Sequence, residues 1–165
     1  MQLMLEAAML DDAAEIARLR NEVAADLTHR YGKGHWSHVS TENGIRSSIE
    51  RSHVYVAWHE GRIVATLTLQ TKKPWAIDRR YFANVKRPLY LLAMAVAADL
   101  HGKGIGRQCL DETCAIARRW PADAIFLDAY DAEAGAGEFY RKCGFQEVGR
   151  VIYRGTPLIY YQMLL

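Results

Sequence analysis

An apolar run that gives way to three closely spaced glycines constrains this chain more than any other feature. Leu89 to Val96 reads as a buried strand, and Ile105-Gly106-Arg107-Gln108-Cys109-Leu110 reads as the opening of a helix. Between them, Gly102 and Gly104 lie in the turn and Gly106 stands just inside the helix, so a ligand can approach the backbone with no Cβ in the way. The first N–H groups of a helix lack intrahelical partners, and the helix dipole favours an anion at that end. Lys103 and Arg107 add positive charge. The physical reading is a cradle for a diphosphate between a strand and a helix. The turn has no Gly-Lys-Ser/Thr ending of a nucleotide-hydrolysing loop, and it lacks the Gly-x-Gly-x-x-Gly order of a dinucleotide site.

The flanking sequence alternates strands and helices. Leu3 to Glu6 reads as a first strand. Asp11-Asp12 is expected to cap a helix with Ala13, Ile16, Ala17 and Leu19 on one face. A second helix is expected over Glu42 to Arg51. The strands His53–Trp58 and Ile63–Leu69 follow, joined by a turn at Glu60-Gly61-Arg62. After the cradle and its helix, which ends near Trp120-Pro121, come a strand at Ala124–Ala129 and a helix at Ala134–Cys143 stopped by Gly144. Phe145–Tyr153 and Leu158–Leu164 read as a closing pair of strands. The 165 residues suffice for one substantial core and are too few for two ordinary ones, so a single domain over 1–165 is expected.

Composition excludes several classes of function. Half the residues are apolar, about a quarter are charged and the net charge is +2, which points to neither a nucleic-acid nor a membrane protein. No apolar run approaches the ~20 residues of a membrane span. The start, Met1 to Glu6, has no basic segment before a long apolar core, so a cytoplasmic protein is expected. Cys109, Cys114 and Cys143 form no Cys-x-x-Cys pair and read as buried free thiols. His35 and His38 have a metal-like spacing, but no neighbouring Cys or carboxylate completes a site, and no metal is expected.

The turn His101-Gly102-Lys103-Gly104-Ile105-Gly106 resembles the Gln/Arg-x-x-Gly-x-Gly/Ala motif of the GNAT family of N-acetyltransferases. Tyr140-Arg141-Lys142-Cys143-Gly144-Phe145 is similar to the same family's second motif, and the order of elements agrees over nearly the whole chain. The resemblance implies an α/β fold: a mixed, mostly antiparallel sheet flanked by helices. It also implies acetyl-CoA as cosubstrate, with its pyrophosphate on Gly102, Lys103, Gly104, Ile105, Gly106 and Arg107. The pantetheine arm would lie along Met94, Ala95 and Val96, whose amides would polarise the acetyl carbonyl. Two positions depart from the family pattern. His101 replaces the usual Arg or Gln, and Glu133 replaces an Asn that contacts the arm in many members.

The expected reaction is direct transfer of the acetyl group to a primary amine of a small molecule or peptide. In this resemblance Tyr140 protonates the departing thiolate; a thiol has a pKa of ~8.5 and a phenol ~10, so a phenol can supply that proton. A primary amine must lose a proton to attack, and Asp128, twelve residues before Tyr140, is the candidate base. A strand-end carboxylate bonded to a loop is the alternative for Asp128, and a packing residue is the alternative for Tyr140.

Trp36 is a candidate wall of the acceptor pocket, and Asp131 a candidate attractor of a cationic substrate. Lys72 to Pro88 carries Lys72, Lys73, Arg79, Arg80, Lys86 and Arg87 against Asp78 and is expected to be a solvated charged excursion. Ile159, Tyr160, Tyr161, Met163 and Leu164 put apolar side chains near the C-terminus, and a homodimer is expected from them. Transfer of another acyl group, a silent acyl-CoA sensor and a nucleic-acid module through Lys72–Arg87 are the competing readings.

Overall fold

Alternation between period-2 and helical apolar patterns along the chain becomes seven strands and four α-helices in the computed structural model, which describes residues 2–165. The strands form a mostly antiparallel sheet flanked by helices. The chain divides into two compact units, one of residues up to Leu69 with Ala93–Thr113, the other of Gln70–Leu92 with Cys114–Leu165.

In the first unit, β1 (Leu5–Ala7), β2 (His53–His59) and β3 (Arg62–Gln70) form an antiparallel meander. Glu60 and Gly61 both have positive φ, 50° and 75°, which suits the right-handed twist of a two-residue hairpin. Arg62 therefore begins β3 and is not part of the turn. Ile63 to Leu69 are all buried, so β3 has no exposed face and no polar alternation. Buried Thr66 satisfies its hydroxyl on the Tyr55 carbonyl at 2.9 Å.

Helix α1 (Ala13–Tyr31) buries Ala13, Ile16, Ala17 and Leu19, the stripe expected from the sequence. Its start differs in detail. Leu10–Asp12 is a 3-10 turn, and the Asp12 carboxylate accepts from Met9 N–H at 2.8 Å rather than from the helix. Helix α2 (Glu42–Arg51) has the expected bounds and is capped by Thr41, whose hydroxyl accepts from Gly44 N–H. The first strand begins at Leu5, two residues later than expected. Leu3 is instead a buried residue whose N–H donates to the Gln108 side chain at 2.9 Å.

In the second unit, β5 (Ala124–Tyr130) pairs antiparallel with β7 (Thr156–Leu164) over seven residues, and β6 (Gln146–Tyr153) pairs with the far side of β7 as the edge strand. Strand β4 (Pro88–Val96) runs parallel to β5, but their register covers only Pro88–Tyr90 against Ala124–Phe126. Ile159, Tyr160 and Tyr161 are buried within the chain, because β7 is an interior strand. The expected homodimer loses that basis.

The segment between β3 and β4 is not a solvated excursion. Ile77 and Phe82 are buried in one cluster with Tyr90, Phe126 and Tyr160, and the Phe82 ring stacks on Phe126 at 4.4 Å. The Tyr160 hydroxyl accepts from Asp78 N–H at 3.1 Å and donates to the Ala76 carbonyl. Gln162 accepts from Ala83 N–H at 2.9 Å. Several of the charges serve the loop itself. Lys73 caps the Pro74 and Ile77 carbonyls, Arg79 lies over Phe126 and donates to Val85, and Arg80 grips both oxygens of Asp78. Asp78 is held at about 2 by that guanidinium.

Removing the hydroxyl that ties this segment down tests the arrangement. Tyr160→Phe leaves the ring packed and orphans the Asp78 N–H, at an expected cost of about 1–3 kcal/mol. Urea unfolding measures the loss. Hydrogen exchange should accelerate at Asp78 and leave the β2–β3 hairpin unchanged.

Candidate active site

The cradle starts with an abrupt change inside β4. Leu89, Tyr90 and Leu91 are buried, whereas Leu92 to Val96 are partly or fully open. Ala93 has φ +55° in mid-strand. A non-glycine residue there is uncommon and marks a strained bulge that re-aims the backbone of Met94, Ala95 and Val96.

Beyond the strand, Ala97 N–H bonds the Val64 carbonyl at 2.8 Å and Leu100 is buried under a 3-10 turn, Ala98–Leu100. An exposed ion pair, Arg62 to Asp99 at 2.6 Å, braces that turn. A ring nitrogen of His101 lies 2.8 Å from the Val96 carbonyl, so the residue that departs from the family motif folds back onto the end of β4. Gly102 and Gly104 have φ of +76° and +81°, and nothing lies within 4 Å of where a Cβ would stand. Both must be glycine for the backbone to turn, and the space beside them is open to a ligand. The Gly104 carbonyl accepts from Gln108 N–H and starts α3 (Ile105–Arg119), which buried Ile105 anchors. Gly106 and Arg107 fall in the first turn of that helix, and Lys103 and Arg107 are exposed. The sequence-predicted binding residues thus form one continuous stretch, from the bulge to the helix start.

Tyr140 and Asp128 belong to the second unit. Helix α4 (Gly137–Lys142) starts later than expected, because the chain must first turn at Gly135, where a Cβ would stand 1.9 Å from the Tyr130 carbonyl. Tyr140 is buried, its ring 5.7 Å from Phe145 and 6.2 Å from Tyr161. Burial, with Asp128 and Cys143 nearby, pushes its phenol well above the usual phenol range. Asp128 is paired in register with Tyr160, and Leu127 with Tyr161. Alternation therefore puts Asp128 on the face opposite the one that Tyr140 packs against. Partial burial raises the Asp128 carboxyl, and its charge adds to the burial that raises Tyr130, Tyr140 and Tyr160.

The remaining candidates are tied up locally. Trp36 donates to the Gly32 carbonyl at 2.8 Å, and its ring covers Gly34, where a Cβ would stand 2.5 Å from it. Asp131 pairs with Arg150 at 3.5 Å on the surface. Cys109 and Cys114 are buried and Cys143 half-buried, none of them in a disulfide; burial, with Glu112 nearby, pushes Cys109 up to about 11. Sequence reasoning missed the Ala93 bulge, which no glycine announces. It also missed Trp75 and Tyr81, whose signal was an aromatic series at 75, 81 and 82 within a charged loop.

Residues 13–145 match the acetyltransferase (GNAT) family. The chain belongs to that family and is an acyltransferase. No curated protein matches it. Among solved structures, a GNAT-family acetyltransferase from Streptococcus agalactiae superposes with a TM-score of 0.79 at 16% identity, covering 99% of this chain and 95% of its own. The structure of yncA from Salmonella typhimurium, solved with its cofactor acetyl-CoA, gives 0.72 at 16% identity over 100% and 95%. A ribosomal-protein-alanine N-acetyltransferase from Brucella melitensis gives 0.71 at 20% identity over 98% and 99%. These likenesses show the fold. No helix of the described residues is long and apolar enough to cross a membrane.

The Asp128 carboxyl generates a pH prediction. Its folded pKa lies above the unfolded value of ~3.9, so the folded state holds the proton more tightly. The stability this provides is full below the unfolded pKa and is lost as pH rises through the folded one. Asp128→Asn removes this half-buried charge. Its melting temperature should exceed wild type at pH 8, and the difference should shrink steadily toward pH 4. A pH-independent difference would show that the carboxylate is not desolvated.

Proposed function

We propose that the protein transfers an acetyl group from acetyl-CoA to a primary amine in one direct step. The observation that carries this is the cradle. It combines two positive-φ glycines with open space beside them, a helix start and two exposed cations directly after a strand whose backbone is turned by the Ala93 bulge. Backbone donors bind a pyrophosphate without side-chain help, so His101 in place of Arg or Gln leaves the site serviceable. The amides of Met94, Ala95 and Val96 are the donors for the acetyl oxygen, and such a donor is worth about 3 kcal/mol in other acyl transfers.

The amine nitrogen attacks the thioester carbon while Asp128 takes its proton. The carbon–sulfur bond then breaks, and Tyr140 delivers a proton to the sulfur. Desolvation suits Asp128 to this task, because a carboxylate of raised pKa is a stronger base. It also keeps Tyr140 protonated at neutral pH, although the phenolate left behind must be reprotonated promptly.

Two measurements test the reading. Acetyl-CoA should raise the melting temperature of the wild type, and Gly104→Glu, which adds bulk and negative charge at the cradle, should abolish most of that rise. No rise in the wild type at saturating acetyl-CoA would end the assignment. Tyr140→Phe keeps the ring and should lower turnover about 10²–10⁴-fold with little change in acetyl-CoA affinity. Near-normal single-turnover acetyl transfer would remove Tyr140 as the acid.

A further inference from the structure

Between the end of β4, proposed to hold the acyl group, and the turn proposed to hold the diphosphate, the chain runs through Ala97–Leu100. Several ties fix that stretch. The Ala97 N–H donates to the Val64 carbonyl at 2.8 Å, and the Arg62 guanidinium meets the Asp99 carboxylate at 2.6 Å. A further tie comes from His101. Its backbone N–H closes the 3-10 turn on the Ala98 carbonyl at 3.3 Å, and its Nε2 lies 2.8 Å from the Val96 carbonyl. A carbonyl oxygen only accepts, so Nε2 carries the proton in this bond. All these residues belong to one compact unit.

The Val96 carbonyl and the Ala97 N–H are the two ends of a single planar peptide group. With the oxygen held by His101 and the N–H held by Val64, that plane cannot rotate without breaking a bond. The next amide toward the Ala93 bulge is the Val96 N–H, a proposed donor to the acetyl oxygen, and a locked plane on one side of Val96 restricts its swing. His101 is exposed, so its side-chain bond adds little to folding. What the bond sets is a spacing, because it joins the last residue of β4 to the residue just before Gly102. One cosubstrate has to reach both places, and a turn free to swing would have to be ordered when it binds.

We propose that His101 is a positioning residue. Its imidazole holds the pyrophosphate turn at a set distance from the acyl-holding end of β4, acting through the Val96 carbonyl rather than on the cosubstrate. The role rests on the acetyl-transfer reading for its ligand.

Two uncharged replacements that differ in the donor test it. His101→Gln keeps an N–H group able to reach the carbonyl, whereas His101→Leu keeps comparable bulk and has none. Calorimetric titration with acetyl-CoA should give a Kd about tenfold weaker for His101→Leu and within about twofold of wild type for His101→Gln. The melting temperature of the unliganded protein should scarcely change in either variant. In the free protein, amide exchange at Ala97 and Leu100 should speed several-fold in His101→Leu and return to the wild-type rate in His101→Gln. Equal losses of affinity in both variants would mean that the imidazole meets the ligand itself. Undiminished affinity or unchanged exchange in His101→Leu would mean that the tie fixes nothing, and a large fall in its melting temperature would make the residue a merely structural one. Each of these overturns the proposal. A wild type that acetyl-CoA does not stabilise would sink the acetyl-transfer reading instead. The exchange comparison needs no ligand and would still decide whether His101 holds the turn.

Discussion

Strand β4 carries the constraint on which the rest depends. Over Pro88–Tyr90 it behaves as an ordinary buried parallel strand, with its hydrogen bonds taken by β5 and its side chains in the core. After Tyr90 the register with β5 ends, and at Ala93 the backbone adopts a left-handed conformation that costs an alanine about 1–2 kcal/mol. A strand interrupted in this way loses ladder bonds and burial together. It is tolerated where neighbouring structure holds it, as the buried first half of β4 and the anchored Ala97 and Leu100 do here. The strain sits next to Met94, Ala95 and Val96, the residues proposed to hold the acyl group, where preorganised donors are of most use.

A second constraint governs the other unit. Asp128 is half-buried, and desolvation raises its carboxyl, so its ionised form is a cost that the packing around it must offset. Phe126 and Tyr160 share the sheet face of Asp128, and Tyr160 and Gln162 together fix the segment that brings Ile77 and Phe82 into the cluster with them. The Asp128 carboxyl and the cover over its sheet face thus share the same few aromatic rings.

Much of this was legible in the sequence, for identifiable reasons. The α1 stripe follows from helical periodicity, a local signal, and α2 has the bounds expected for it. Gly102 and Gly104 were legible because positive φ in a turn selects glycine. Ala93 was not, because the same conformation in an alanine leaves no trace in residue type. The anchoring of the Lys72–Pro88 segment was hidden because Ile77 and Phe82 look like isolated apolar residues among charges, and their partner Tyr160 lies about eighty positions away. Separation of Asp128 and Tyr140 onto opposite faces depended on register between β5 and β7, which spacing along the chain does not encode.

The segment between β3 and β4 is fastened at Ala76, Asp78 and Ala83, while Trp75 and Arg80 project from it into solvent. Substitution of the exposed Trp75 leaves those bonds in place, whereas Arg80 also grips Asp78 and belongs to the fastening. Anchoring and exposure are thereby placed largely on different residues of one short stretch. A lineage carrying this scaffold can explore new ligands by drift at the tips, one residue at a time, without passing through unfolded intermediates.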